Sequence, residues 1–120
     1  MIQETKENIK LLIADDETEF ASTLKTRLQL RNFTTRVVNS GTEALEAVAQ
    51  DKPDVLLLDL KMPDLDGLEV LARIREDNPD LKVIILTGHG SFEAGREGME
   101  LGAYDYVMKP VDLNRLISRI

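Results

Sequence analysis

Apolar and polar positions along this chain alternate between two periods. Ile9 to Ala14 is an apolar run that breaks off at Asp15-Asp16. Over residues 17–31 Phe20, Leu24 and Leu28 recur four apart, the spacing of one helix face. Phe33 to Val38, rich in Thr and Val, reads as a strand. Ser40-Gly41-Thr42-Glu43 has the form of a capping box, so a helix should start there, with Ala44, Leu45, Val48 and Ala49 as its apolar face. Pro53 cannot continue it. Asp54 to Asp59 is the next strand, and Lys61 to Gly67, with Pro63 and Gly67, is a loop. Helical spacing returns at Leu68, Leu71 and Ala72 and ends near Asn78-Pro79. Lys82 to Thr87 is a fourth strand, followed by a Gly88-His89-Gly90 loop. A weak helix spans Ser91 to Leu101, closed by Gly102; its interior glycines, Gly95 and Gly98, each cost about 1 kcal/mol relative to alanine. Tyr104 to Met108 is a fifth strand, and Asp112 caps a last helix with Leu113, Leu116, Ile117 and Ile120 on one face.

Five strand–helix units of this kind predict an α/β fold: a doubly wound, mostly parallel five-stranded sheet with helices on both faces. Near-continuous aliphatic strands agree, because a parallel sheet is covered on both sides. The units occupy residues 9–120, behind a polar N-terminal extension, residues 1–8. The last helix reaches Ile120 with no cap after it, so a truncated helix is expected.

Composition narrows the chemistry. With 120 residues, 42% hydrophobic and 31% charged, one globular domain fits and two do not. There is no cysteine, so thiolate chemistry is excluded, and the single histidine, His89, excludes a two-histidine metal site. A net charge of −7 opposes a sequence-independent grip on nucleic-acid phosphates. Nothing resembles a signal peptide or a membrane span, and a cytoplasmic setting is expected.

In open parallel sheets ligands bind beyond the carboxyl ends of the strands. Those ends carry Asp15-Asp16, Asn39, Asp59, Thr87 and Lys109-Pro110. Asn39 is the least reactive, which suits an outer second strand and the order 2-1-3-4-5. Three carboxylates gathered in one crevice repel, by roughly 4 kcal/mol for a close pair at an effective dielectric of about 20. A divalent cation relieves this, and hard oxygen donors favour Mg2+. Lys109 supplies a compact positive charge and Thr87 a hydroxyl, which is most of what phosphoryl transfer asks of a protein. An aspartate nucleophile is already anionic at pH 7 and needs no histidine base.

Asp15-Asp16, VLLLDLKMPDLDG around Asp59, LTG at Thr87 and YDYVMKP at Lys109 together resemble the receiver domain of two-component response regulators, over residues 9–120. The resemblance implies a flavodoxin-like (βα)5 fold. It implies that Asp59 is the phosphoacceptor, loaded from a phosphohistidine of a sensor histidine kinase. It implies that Asp15, Asp16, Asp59 and the Lys61 carbonyl hold Mg2+, that Thr87 and Lys109 contact the phosphoryl group, and that Tyr106 is a switch aromatic coupled to Thr87. Lys109-Pro110 matches the family's cis peptide. Lys61 and His89, each two residues beyond a site residue, match positions that tune dephosphorylation. The face made by the fourth helix, fifth strand and fifth helix is expected to meet an output domain or partner protein, or a second copy in a homodimer, with no direct nucleic-acid binding. The TGHG loop resembles receivers of the nitrogen-regulation type.

Each residue alone has a plainer reading. Asp15-Asp16 could cap a helix, Thr87 could end a strand and Lys109 could be a surface lysine. Asp64 and Asp66 read as turn or cap residues. Three other functions share the fold or the chemistry. An aspartyl-phosphate phosphatase usually has a second acid two after the nucleophile, where this chain has Lys61. A flavin or nucleotide carrier needs a Gly- or Ser/Thr-rich loop after the first strand, where this chain is acidic. An adaptor that binds without phosphorylation remains open at this level.

Overall fold

A computed structural model describes residues 9–88 and 92–120, Phe92 by its backbone alone. The N-terminal extension 1–8 and the tuning position His89 lie outside the described residues. The elements are β1 (Lys10–Ala14), α1 (Thr18–Gln29), β2 (Thr34–Val38), α2 (Gly41–Gln50), β3 (Val55–Asp59), α3 (Gly67–Asp77), β4 (Lys82–Thr87), α4 (Phe92–Glu100), β5 (Asp105–Met108) and α5 (Leu113–Arg119). All strand pairs are parallel, in the order β2-β1-β3-β4-β5. This is the expected (βα)5 sheet.

Strand alternation builds two cores. Leu12, Ala14, Leu56, Leu58, Val83 and Ile85 point to one face and meet α2 and α3 through Ala44, Val48, Val70, Leu71 and Ile74. Leu11, Ile13, Leu57, Ile84, Leu86 and Val107 point to the other and meet Ala21, Leu24 and Leu28 of α1 and Leu116 of α5. Full burial of one such side chain is worth about 1.5–3 kcal/mol. Two helix faces differ from expectation. In α2 Ala47 is buried and Ala49 exposed; in α3 Val70 and Ile74 are buried and Ala72 exposed. In α3 the larger Val70 and Ile74 set the rotation, whereas in α2 Val48 turns inward together with the small Gly41, Ala44 and Ala47.

The caps are more distributed than the sequence implies. Ser40 Oγ accepts the Glu43 N–H at 3.1 Å, but the Glu43 carboxylate reaches back to the Asn39 N–H, 2.8 Å, and not to Ser40. Asp66 caps α3 by accepting the Leu68 N–H at 3.0 Å, and Asp112 caps α5 by accepting the Arg115 N–H at 3.3 Å. The α4 C-terminus closes as a Schellman turn: Ala103 N–H donates to Gly98 O and Gly102 N–H to Met99 O, with Gly102 at φ 106°.

The α4 glycines have a packing reason. A Cβ at Gly98 would lie 2.1 Å from Ile85 Cδ1, and one at Gly95 would lie 3.3 Å from Tyr106 Cδ2. The helix gives up propensity to lie directly on β4 and β5.

Candidate functional site

Sheet register assembles the site. Ala14 pairs with Leu58, so Asp15 follows β1 directly beside Asp59. Asp59 pairs with Leu86, so Thr87 lies one residue further on the adjacent strand. Thr87 pairs with Met108 and accepts the Lys109 N–H at 2.8 Å, which brings Lys109 to the same edge. The Lys109–Pro110 peptide is cis.

Burial turns this edge into a crevice. Asp15 is 0% exposed, Asp59 5% and Thr87 2%. Asp16 lies at the mouth, exposed. Asp15, Asp16 and Asp59 each offer a carboxylate oxygen, and the three lie within 4.8 Å of one another. Asp15 Oδ1 accepts the Glu17 N–H at 2.9 Å and Asp59 Oδ1 accepts the Lys61 N–H at 3.1 Å. Lys109 Nζ lies 2.9 Å from Asp15 Oδ2 and 3.7 Å from Asp59 Oδ2. The contact to Asp15 is an ion pair, and among the described residues Oδ2 of Asp15 has no aligned hydrogen-bond donor. The buried Thr87 hydroxyl also has no hydrogen-bond partner among the described residues.

The electrostatics follow from these positions. Burial pushes the Asp59 carboxyl up to about 6, and the neighbouring Asp15 charge pushes the same way; the Lys61 N–H and Lys109 oppose them without prevailing. Burial works against the charge of Lys109, but its contacts with Glu17 and Asp15 and the charge of Asp59 outweigh it and leave the ammonium above the ordinary lysine value. A lysine beside several acids therefore stays cationic, while Asp59 is the carboxylate held in the less comfortable place. The residues present fit a hard divalent cation. Among the described residues they offer three carboxylates and no imidazole or thiolate, and the buried Asp15 Oδ2 has no aligned hydrogen-bond donor.

Other expected residues take definite places. Lys61 leaves β3 with an exposed side chain and a main chain bridged to Asp66, closing the β3–α3 loop. Tyr106 is half-buried and packs on the core beneath α4. Gly95 of α4 is the common neighbour of the Tyr106 ring and the Thr87 methyl: a Cβ there would lie 3.3 Å from the one and 3.4 Å from the other.

Four more residues belong to this neighbourhood: Glu17 and Phe20, which the sequence alone did not place at the site, Asn39, which it placed only at the sheet edge, and Asp64, which it read as a turn or cap residue. Glu17 Oε1 accepts a 2.5 Å hydrogen bond from Lys109 Nζ. Phe20 lies under the same ammonium, 4.5 Å from ring centre to Nζ. Asn39 Nδ2 donates to the Asp15 carbonyl at 2.9 Å. Asp64 accepts the Gly41 and Thr42 N–H groups at 2.9 and 3.0 Å, so it caps α2 and not its own neighbouring helix. Only the acidity after Asp16 hinted at Glu17; the partners of Asn39 and Asp64 lie more than twenty residues away.

Comparison with known proteins follows the same lines. The model of the response regulator receiver domain matches residues 11–120. Response regulator MprA of Mycobacterium ulcerans is 37% identical over 113 residues, 94% of this chain and 49% of that protein. The chain thus spans about half the length of the curated relatives it matches. Among solved structures, the receiver domain of the Francisella response regulator 1452 superposes with a TM-score of 0.85 at 38% identity, covering 93% of each chain. The receiver domain of NtrX from Brucella abortus gives 0.86 at 32% identity, covering 90% of this chain and 92% of that one. Among the described residues no helix is long and apolar enough to cross a membrane.

Proposed function

This chain belongs to the response regulator receiver domain family, and from that premise we propose that it is a phosphorylation-operated switch with Asp59 as the phosphoacceptor. The observation that carries the reading is the buried Asp59 carboxylate beside Asp15, with Lys109 3.7 Å away and, on the next strand, a buried Thr87 hydroxyl that has no hydrogen-bond partner among the described residues. A carboxylate pushed up to about 6 is still ionised at pH 7.5 and is poorly compensated. It is an anionic nucleophile that needs no base to activate it.

In the proposed transfer an Asp59 oxygen forms a bond to phosphorus as the bond from phosphorus to the kinase histidine nitrogen breaks. The electron pair of that bond leaves on the imidazole. Asp15, Asp16, Asp59 and the Lys61 carbonyl would hold Mg2+, which supplies charge neutralisation for the phosphoryl oxygens. Lys109 moves from a carboxylate partner to a phosphoryl oxygen, and Thr87 donates its hydroxyl to another. The α4 backbone at Gly95 leaves room for no more than a Cβ against Thr87 and Tyr106, so a shift of Thr87 is proposed to be felt by α4 and by the aromatic ring together. The face of α4, β5 and α5 then carries the state to an output domain or partner, or to a second copy in a homodimer, without contacting nucleic acid itself. The sensor histidine kinase and this domain would meet in the cytoplasm. The nitrogen-regulation type is the narrower proposal, and it rests on the TGHG loop. Lys61 and His89 are proposed to set the lifetime of the phosphorylated form.

Intact mass after incubation with Mg2+ and acetyl phosphate tests the reading. A labile gain of one phosphoryl group, absent in Asp59→Asn, is expected. No gain from acetyl phosphate or from a phosphorylated sensor kinase would leave the adaptor reading in its place.

A further inference from the structure

The start of α2 is held from two sides. Its first three N–H groups, which no helical carbonyl can serve, all have side-chain partners: Glu43 N–H has the local Ser40 Oγ, while Gly41 and Thr42 N–H have the two carboxylate oxygens of the remote Asp64. These bonds, that to Thr42 first, hold Asp64 down to about 2, so it is ionised throughout the physiological range.

Asp64 sits on the β3–α3 loop, and that loop behaves as one piece. Lys61 is bridged to Asp66, and Gly67 N–H closes onto Leu60 O at 3.1 Å. The loop also presses on the helix start, where a Cβ at Gly41 would lie 2.9 Å from Leu65 Cβ. From the other side, the Glu43 carboxylate accepts the Asn39 N–H, and the Asn39 side chain holds the Asp15 carbonyl. The first turn of α2 thus connects the main chain at Asp15 to the loop that carries Lys61, the two walls of the carboxylate crevice.

We infer that Asp64 is a positioning residue for the metal: by clamping the β3–α3 loop to α2 it holds the Lys61 carbonyl at a fixed separation from Asp15 and Asp16. The inference rests on the metal reading given under Proposed function. Ser40 provides the control. It caps the same helix through the Glu43 N–H and, among the described residues, makes no side-chain hydrogen bond to the loop, so its loss should weaken α2 while leaving the clamp closed.

Mg2+ titration by calorimetry and by amide NMR, on the unphosphorylated parent, Asp64→Ala, Asp64→Asn and Ser40→Ala, separates these effects. Asp64→Ala should weaken Mg2+ binding about tenfold or more, the scale on which lost outer contacts act on a metal site. Asp64→Asn keeps one acceptor oxygen and should recover part of the loss. Ser40→Ala should lower the melting temperature while keeping Mg2+ affinity within about twofold of the parent. Unchanged affinity in Asp64→Ala overturns the inference. So does an equal loss in Ser40→Ala, because the effect then runs through helix stability. A parent that binds no Mg2+ overturns the metal reading itself and this inference with it.

Discussion

Replacing Asp59 with asparagine should make the resting protein more stable, although it removes the group on which the proposed chemistry depends. The carboxyl moves from 3.8 to about 6 on folding, with burial as the main cause and the Asp15 charge behind it. At about 1.36 kcal/mol per tenfold change in acidity, that is a penalty of about 3 kcal/mol on the ionised form. The folded value lies above the unfolded one. The penalty is therefore fully expressed above about pH 6 and fades as the pH falls towards 3.8. Asparagine removes the charge and keeps an oxygen for the Lys61 N–H, 3.1 Å away in the parent. It gives up the attraction to Lys109, which is modest at 3.7 Å. The net gain should be about 2 kcal/mol at pH 8, seen as a rise of about 5–10 °C in melting temperature. Urea unfolding of both proteins from pH 4.5 to 8 is the assay. The gap should narrow towards pH 4.5, where the parent carries a protonated Asp59, and should narrow at pH 8 when Mg2+ stabilises the parent. A variant no more stable than the parent at pH 8, or an advantage constant across pH, would refute the reasoning.

Three further predictions concern single substitutions. Gly67→Ala would place a Cβ 2.3 Å from Leu60 Cα and 2.5 Å from Leu60 O; backbone cannot yield cheaply, so a loss of about 3 kcal/mol is expected in urea unfolding, and one below about 1 kcal/mol would contradict it. Lys109→Met removes the cation between Glu17, Asp15 and Asp59 and should slow phosphorylation by acetyl phosphate about a hundredfold, with rates read by intact mass; a near-parental rate would remove Lys109 from the proposed transfer. Lys61→Ala and His89→Ala should each change the dephosphorylation rate followed after removal of the donor, and unchanged rates would discard the tuning role.

The order of elements was legible because each unit repeats a local rule: an apolar run, a polar break and a stretch of helical spacing. The ends of the strands were legible for the same reason, and they carry Asp15, Asp16, Asp59, Thr87 and Lys109. Local rules failed where a residue's partner is remote. Asp64 reads as a turn or cap residue, but that the helix it caps is the remote α2 emerges only when α2 packs against the β3–α3 loop. Ala49 and Ala72 look apolar enough for a core, yet Val48, Val70 and Ile74 decide how their helices turn. Gly98 looks like a weakness in α4 until Ile85 is placed beneath it.

By itself the sequence determined the alternation of strands and helices and the kinds of group delivered to one sheet edge, because periodicity and side-chain type are local properties. The tertiary structure decided how those groups feel one another. Register placed Asp59 beside Asp15, burial raised its affinity for a proton, and packing brought Glu17 to Lys109 and Asp64 to α2. Charge interactions depend on distance and on exclusion of water, and neither exists until the chain has folded.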